Sequence, residues 1–120
     1  MNEESTFELA NKSEALFFSV FDITTSRSHF PVKYQRLSCR LQDCALDIHG
    51  FIMDANGLKT ESQKAERFKL QTKVIAKCNH LASLAKYSLH AQLISCATSE
   101  LWIGLVHDIK YMTLAWRKSG

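Results

Sequence analysis

Chain breakers are scarce in this sequence: 120 residues contain four glycines and one proline. Three of these five, Pro31, Gly57 and Gly120, fall between apolar periodic segments or at the last position. Tight hairpins need glycine or its substitutes at their turns, so a chain this poor in turn formers has little room for sheet. It is driven instead toward a few long helices. Length adds a second constraint, because 120 residues build one core and not two. Tandem enzymes and multidomain receptors are thereby excluded. Hydrophobic residues make up 46% and charged residues 22%, the balance of a globular chain rather than a disordered one.

The apolar residues recur at helical intervals. Phe7, Leu9, Ala10, Leu16, Phe17, Val20, Phe21 and Ile23 predict a helix over 6–25, with Ser5 or Thr6 as its cap and Glu8 favourably near the positive end of its dipole. TTSRSHFP, residues 24–31, ends it, since Pro31 disfavours helical geometry at Phe30. Leu37, Leu41, Cys44, Ala45, Ile48, Phe51, Ile52 and Ala55 predict a long amphipathic helix over 32–55, stopped by Asn56-Gly57 with glycine in the left-handed cap conformation. A third helix is expected over 61–90, opened by a loose capping box from Thr60 or Ser62 to Gln63 or Glu66. Its expected buried face holds Phe68, Gln71 or Thr72, Ile75, Cys78, Leu81, Ala82, Ala85 and Leu89. Residues 90–94 turn the chain, and Ser95 with Thr98 or Ser99 offers caps for a helix over 96–117 carrying Leu101, Trp102, Leu105, Val106, Ile109, Met112, Leu114 and Trp116. The expected fold is all-α, an up-down-up-down antiparallel four-helix bundle in a single domain. A three-helix array with an extended first segment is the alternative.

Catalytic patterns are missing. There is no glycine-rich phosphate loop, no G-x-S-x-G elbow and no H-E-x-x-H. Histidines stand at 29, 49, 80, 90 and 107, but the Glu-x-x-His pairs of a di-metal bundle do not occur. Asp43, Asp47 and Asp54 share one face of the second helix, where salt bridges or solvation are the commoner use of such carboxylates than acid-base chemistry. Cys39, Cys44, Cys78 and Cys96 contain no C-x-x-C pair and read as small buried hydrophobes in helices. The expectation is a chain that is not an enzyme and carries neither metal nor cofactor. Residues 1–14 hold Glu3, Glu4 and Glu8 where a secretory leader would hold Lys or Arg, and no apolar run approaches a membrane span. A cytoplasmic protein without a membrane partner is expected.

Charge is more informative by position than in sum. The net charge is +3, yet residues 1–22 carry −4, residues 23–42 carry +4 and residues 59–86 carry +5. Segregation of this kind makes a basic face on a nearly neutral chain. Lys69, Lys73 and Lys77 are spaced by four, which stacks their ammonium groups about 6 Å apart along one side of a helix. Arg36 and Arg40 repeat the spacing on the second helix. Such ladders suit phosphates, because Lys and Arg gain from counterion release without touching a base. They equally suit a solvated helix exterior. Tyr34, Tyr87 and Tyr111 offer outer aromatics that stack on bases or cover the core edge.

RLQDCALDIHGFIMDAN, residues 40–56, resembles the R-L-Q-x-A-A-L-x-L-x-x-x-I-x-x-A-N stretch of a family of small four-helix-bundle proteins. That family groups the accessory variability determinants of diversity-generating retroelements with the bundle proteins encoded in intervening sequences of large-subunit ribosomal RNA. The long basic third helix, LIS at 93–95 and HDIKYMTLAW at 107–116, similar to the family's D-E-I-G-R-M-L-x-x-W ending, follow in the same order. The likeness covers roughly residues 26–118 and lies mostly in core positions. Lys110, Thr113 and Leu114 depart from the family's small last-helix residues, and HLASLAKY at 80–87 departs from its R-x-L-L-R-L-A pattern. The resemblance implies a non-enzymatic subunit, typically a pentameric ring, that binds a reverse transcriptase and its structured template RNA and supports mutagenic complementary-DNA synthesis. On that reading the RNA or polymerase contacts are Arg27, Lys33, Arg36, Arg40, Lys69, Lys73, Lys77, Arg117 and Lys118. The alternative function is a ribosome-associated or protein-only adaptor bundle of the intervening-sequence type. A metal-dependent bundle enzyme comes third.

Overall fold

The computed structural model describes residues 3–119. Four helices account for most of them: α1 (Glu3–Thr24), α2 (Gln35–Asn56), α3 (Lys64–His90) and α4 (Cys96–Ser119), with 3-10 turns at Val32–Tyr34 and Glu61–Gln63 leading into α2 and α3. No strand occurs among the described residues. Ser5 and Thr6, the expected caps, lie inside α1, and Thr6 is buried. The second helix begins later than expected, because Pro31 first sets up the 3-10 turn. No helix among the described residues is long and apolar enough to cross a membrane.

The protein is a four-helix bundle in which α1 packs on α2 and α4, and α3 packs on the same two. It measures 48 × 22 × 19 Å. Buried residues in every helix alternate by three and four: Thr6, Leu9, Ser13, Leu16 and Val20 in α1; Ser38, Leu41, Ala45, Ile48, Ile52 and Ala55 in α2. In α3 the series is Arg67, Gln71, Val74, Cys78, Leu81, Ala85 and Ser88, and in α4 it is Ser99, Trp102, Val106, Ile109, Thr113 and Trp116. This spacing keeps one narrow stripe of each helix turned inward, as in coiled-coil packing. The apolar members form one core, and Trp102, its bulkiest fully buried side chain, donates its indole N–H to Ser19 Oγ at 2.9 Å.

Side chains pin the helices at several levels. Lys12 pairs with Asp108 across α1 and α4 at 3.3 Å, and Ser38 Oγ donates to the Thr24 carbonyl at the α1–α2 end. Between α2 and α3, Cys44 Sγ donates to the Lys77 carbonyl. Lys110 to Asn79 and Arg117 to Thr72 join α4 to α3.

The connections differ from the sequence expectation in one respect. Gly57 ends α2 at φ −75°, ψ −15°, a right-handed conformation, so its freedom to turn left is not used. The left-handed residue is Gln92, at φ 63°. Ala91 N–H bonds to the Tyr87 carbonyl, Gln92 to Leu89 and Leu93 to Ser88, which is a Schellman closure of α3 with Leu93 and Ile94 buried behind it. The Thr60 capping box is as expected, its amide donating to Gln63 Oε1 at 3.3 Å, and Thr98 N–H donates to Ser95 Oγ at 3.0 Å. Arg67 Nη1 donates to the Leu58 carbonyl at 2.6 Å, tying the α2–α3 connection to α3.

Two substitutions follow from these conformations. Gln92→Gly relieves a left-handed side chain and raises stability by about 1 kcal/mol. Gly57→Ala, whose new Cβ meets only ordinary contacts with the Asp54 and Met53 carbonyls, is neutral or stabilising by about 0.4–1 kcal/mol. Urea midpoints check both, and a large drop in stability for Gly57→Ala would contradict the right-handed assignment.

Candidate nucleic-acid interface

Eight of the nine cations named from the sequence fall into two groups, and Lys77 lies between them. Arg27 lies exposed in the α1–α2 connection, Lys33 in the 3-10 turn, and Arg36 and Arg40 on the first turns of α2. Lys33 Nζ sits 5.3 Å from the Tyr34 ring centroid. The second group gathers where the start of α3 meets the end of α4. Arg117 lays its guanidinium 4.7 Å from the centroid of Phe68 and donates to Thr72 Oγ1 at 3.1 Å. Lys69 lines the surface next to Phe68 and Lys118 is exposed in the same last turn, whereas Lys73 points to the α2 flank of α3, over the Phe51 ring. Position at the end of α4 also suits Arg117 and Lys118 to the negative pole of that helix. Arg40 and Phe51, the α2 residue beneath Lys73, are separated by about 16 Å of helix, and Arg36 by about 22 Å. The cations therefore cluster toward two ends of α2 and α3, with Lys77, tied to Asp47, between them.

Partners rank the lysine ladder. Lys77 Nζ is 3.3 Å from Asp47 Oδ2; Lys73 leans 5.5 Å over the Phe51 ring. Lys69 makes no ion pair among the described residues. Of the three carboxylates on α2, Asp47 is thus a partner of α3, whereas Asp43 and Asp54 face solvent.

The remaining polar groups do not assemble into catalytic geometry. Ser13 and His49 approach to 2.7 Å, but Ser13 is fully buried and its hydroxyl donates to the Ala10 carbonyl at 2.8 Å. It therefore accepts from His49 Nδ1–H, the reverse of what an activated nucleophile needs. His107 and His90 pack against Tyr111 and Tyr87, and His29 bonds Ser26. No group of three or more His, Cys, Asp or Glu side chains that could hold a metal occurs among the described residues.

The cysteines divide. Cys44 and Cys78 are buried as expected, whereas Cys39 and Cys96 are exposed. Burial pushes the Cys44 thiol up to about 11 against the opposing pull of Lys77, and burial, reinforced by Cys44, pushes Cys78 up to about 12. Both thiols are neutral and inert at physiological pH.

Phe68 is the site residue that the sequence pattern misplaces. Periodicity assigns it to the core, yet it is 50% exposed, because the inward stripe of α3 runs one residue earlier, through Arg67, Val74 and Ser88. Its signal in the sequence is only Phe-Lys at 68–69 inside the basic block. Tyr87 and Tyr111 are exposed and Tyr34 covers the core edge.

Raised thiol values fix a direction for alkaline stability. Above about 9 the unfolded chain loses thiol protons that the folded chain keeps, so stability falls as pH rises from there through about 11 and 12. Cys44→Ala/Cys78→Ala flattens that fall relative to the parent in melts taken across the range. A thiol-reactive dye at neutral pH modifies Cys39 and Cys96 and reaches the buried pair only on unfolding; four equally reactive thiols would contradict this.

No known protein-family model, curated protein or solved structure matches this chain.

Proposed function

We propose that this protein is a non-enzymatic RNA- and polymerase-binding subunit. It works in the cytoplasm without cofactor or membrane, binding a reverse transcriptase and its structured template RNA to support mutagenic complementary-DNA synthesis. The observation that carries this reading is the placing of Arg117 over Phe68 with Lys69 beside that ring at one end of the bundle, Lys73 on the α2 flank of the same helix, and Lys33, Arg36 and Arg40 on a second patch. The likeness of residues 40–56 and 107–116 to the retroelement accessory family supplies the partner class. On the same reading the bundle runs up-down-up-down and antiparallel. The pairings 12 with 108 and 19 with 102 support this, as do 13 with 49 and 24 with 38, because numbers rise on one helix while they fall on its neighbour. A ring of copies, a pentamer by resemblance, presents the acidic α1 of one copy to the basic helices of another and multiplies the field of each patch.

The adaptor reading, a ribosome-associated or protein-only bundle, is favoured by one observation: Asp47 already occupies Lys77, so part of the ladder serves packing. The two readings separate by experiment. Tagged protein is recovered from host lysate at near-physiological salt, with bound protein identified and bound RNA sequenced. A reverse transcriptase with one dominant non-coding RNA is the expected result; ribosomes, or no nucleic acid, would transfer the assignment to the adaptor.

Charge reversal tests the surface itself. Lys69→Glu/Lys73→Glu weakens RNA binding and lowers its salt slope by nearly one for each phosphate no longer neutralised, about 2 in total, with melting unchanged. Lys77→Glu, set against Asp47, lowers the melting temperature and leaves RNA affinity nearly intact. Unaltered affinity and slope in the double variant would remove the ladder from the interface.

A further inference from the structure

We infer that Phe68, with the Arg117 guanidinium on its face, is a stacking platform for an unpaired base, so that this end of the bundle takes single-stranded nucleic acid in preference to duplex. The inference rests on the reading of the basic end as a nucleic-acid surface and adds the kind of strand it selects.

Three observations converge. The Phe68 ring is half exposed although Arg117 lies 4.7 Å from its centroid. The guanidinium is held there by its bond to Thr72, so a base stacking on either plane finds it already ordered and costs little side-chain freedom. Beside the ring lies a shallow depression of about 570 Å³ lined by Glu61, Ser62, Lys64, Ala65, Phe68 and Lys69. Lys64 and Lys69 supply cations for phosphate on its rim, while Glu61 repels phosphate and accepts from the amino groups of a base. Phe7 and Phe18 are as exposed, but they stand on α1 among Glu3, Glu4, Glu8 and Glu14, where a polyanion is disfavoured. Aromatic rings within a cationic frame are how sequence-tolerant single-strand surfaces are built, each stacked base adding to the attraction of the phosphates. A duplex keeps its bases stacked on one another and offers a free face only at its ends.

The test compares an unstructured RNA of about 12 nucleotides, within the span of a small single-strand site, with a blunt duplex of the same length at the same salt. Phe68→Ala is expected to lose roughly 5- to 150-fold in affinity for the single strand, the worth of one stacked base. Its duplex affinity and its salt slope stay at the parent values, since every cation that meets a phosphate is still in place. Phe68→Trp restores single-strand binding, and because Trp102 and Trp116 are buried, quenching of the exposed indole reports the base at this position. Single-strand affinity of Phe68→Ala equal to the parent would overturn the platform while leaving the cationic surface standing. A parent protein that binds neither RNA at low salt would overturn the surface and the platform together. Quenching of Phe68→Trp by an acidic tyrosine-bearing peptide and not by RNA would assign the platform to a protein partner and overturn the inference.

Discussion

The alternation of buried positions by three and four, shared by all four helices, is the constraint on which the rest of the structure depends. A helix turning every 3.6 residues can hold such a stripe inward only if its neighbours hold theirs in register, so the rotation of each helix is set by the other three. That rotation decides what every outward side chain meets. Most polar members of the stripe lie toward the ends, Thr6, Arg67, Gln71 and Thr113 at one and Thr24, Ser38, Ser88 and Ser99 at the other, where backbone carbonyls take hydrogen bonds from Arg67, Thr24, Ser38 and Ser88. The middle, with Leu16, Ala45, Ile48, Cys78, Leu81, Val106 and Ile109, is apolar except for Ser13, whose hydroxyl is satisfied by the Ala10 carbonyl and His49. Burying these side chains supplies the main drive to fold, on the order of 2 kcal/mol for each large one.

Helix number and stops are legible in the sequence because they depend on local chemistry. Pro31 has to disturb the chain, Asn56 has to be near the end of α2, and Ser95 has to be close to a helix start; each acts through its own backbone. The face of α3 is less legible. Phe68, Ile75 and Leu89 are more hydrophobic than Arg67, Val74 and Ser88, so intrinsic character points one residue away from the stripe that the bundle buries. Arg67 is accommodated because it answers the Leu58 carbonyl, nine residues away, a pairing that no periodicity reveals. The same rotation puts Phe68 outside and brings it under Arg117. Glycine misleads for a related reason: Gly57 can adopt the left-handed turn, but the connection it opens does not need one, whereas the sharper return at Gln92 does and takes it without glycine.

Charge shows the same division between pattern and packing. Spacing makes Lys69, Lys73 and Lys77 equivalent; the structure makes them three different things. Lys77 meets Asp47, Lys73 lies over an aromatic ring, and Lys69 stands on the rim of the Phe68 depression. Partly exposed pairs such as Lys12 with Asp108 and Lys77 with Asp47 contribute at most about 1 kcal/mol each to stability, and Lys69 makes no ion pair among the described residues. On the proposed reading, Lys69 is the member of the ladder best placed to meet a phosphate.

The distance between the two cationic patches bears on how one chain could use both. Along α2 they lie about 16–22 Å apart, a span of several base steps of an A-form RNA stem. On the proposed reading, a short stem therefore bridges Arg36 and Arg40 to Lys73 on one subunit. An RNA with a short stem ending in an unpaired segment meets both requirements: phosphates of the stem along α2, and a free base at the Phe68 end. A flexible single strand that spans both patches loses conformational freedom in doing so, and a fully paired RNA offers Phe68 a base only at its ends. On the same reading, structure in the RNA, and not length alone, is what would let both patches of a single copy act together.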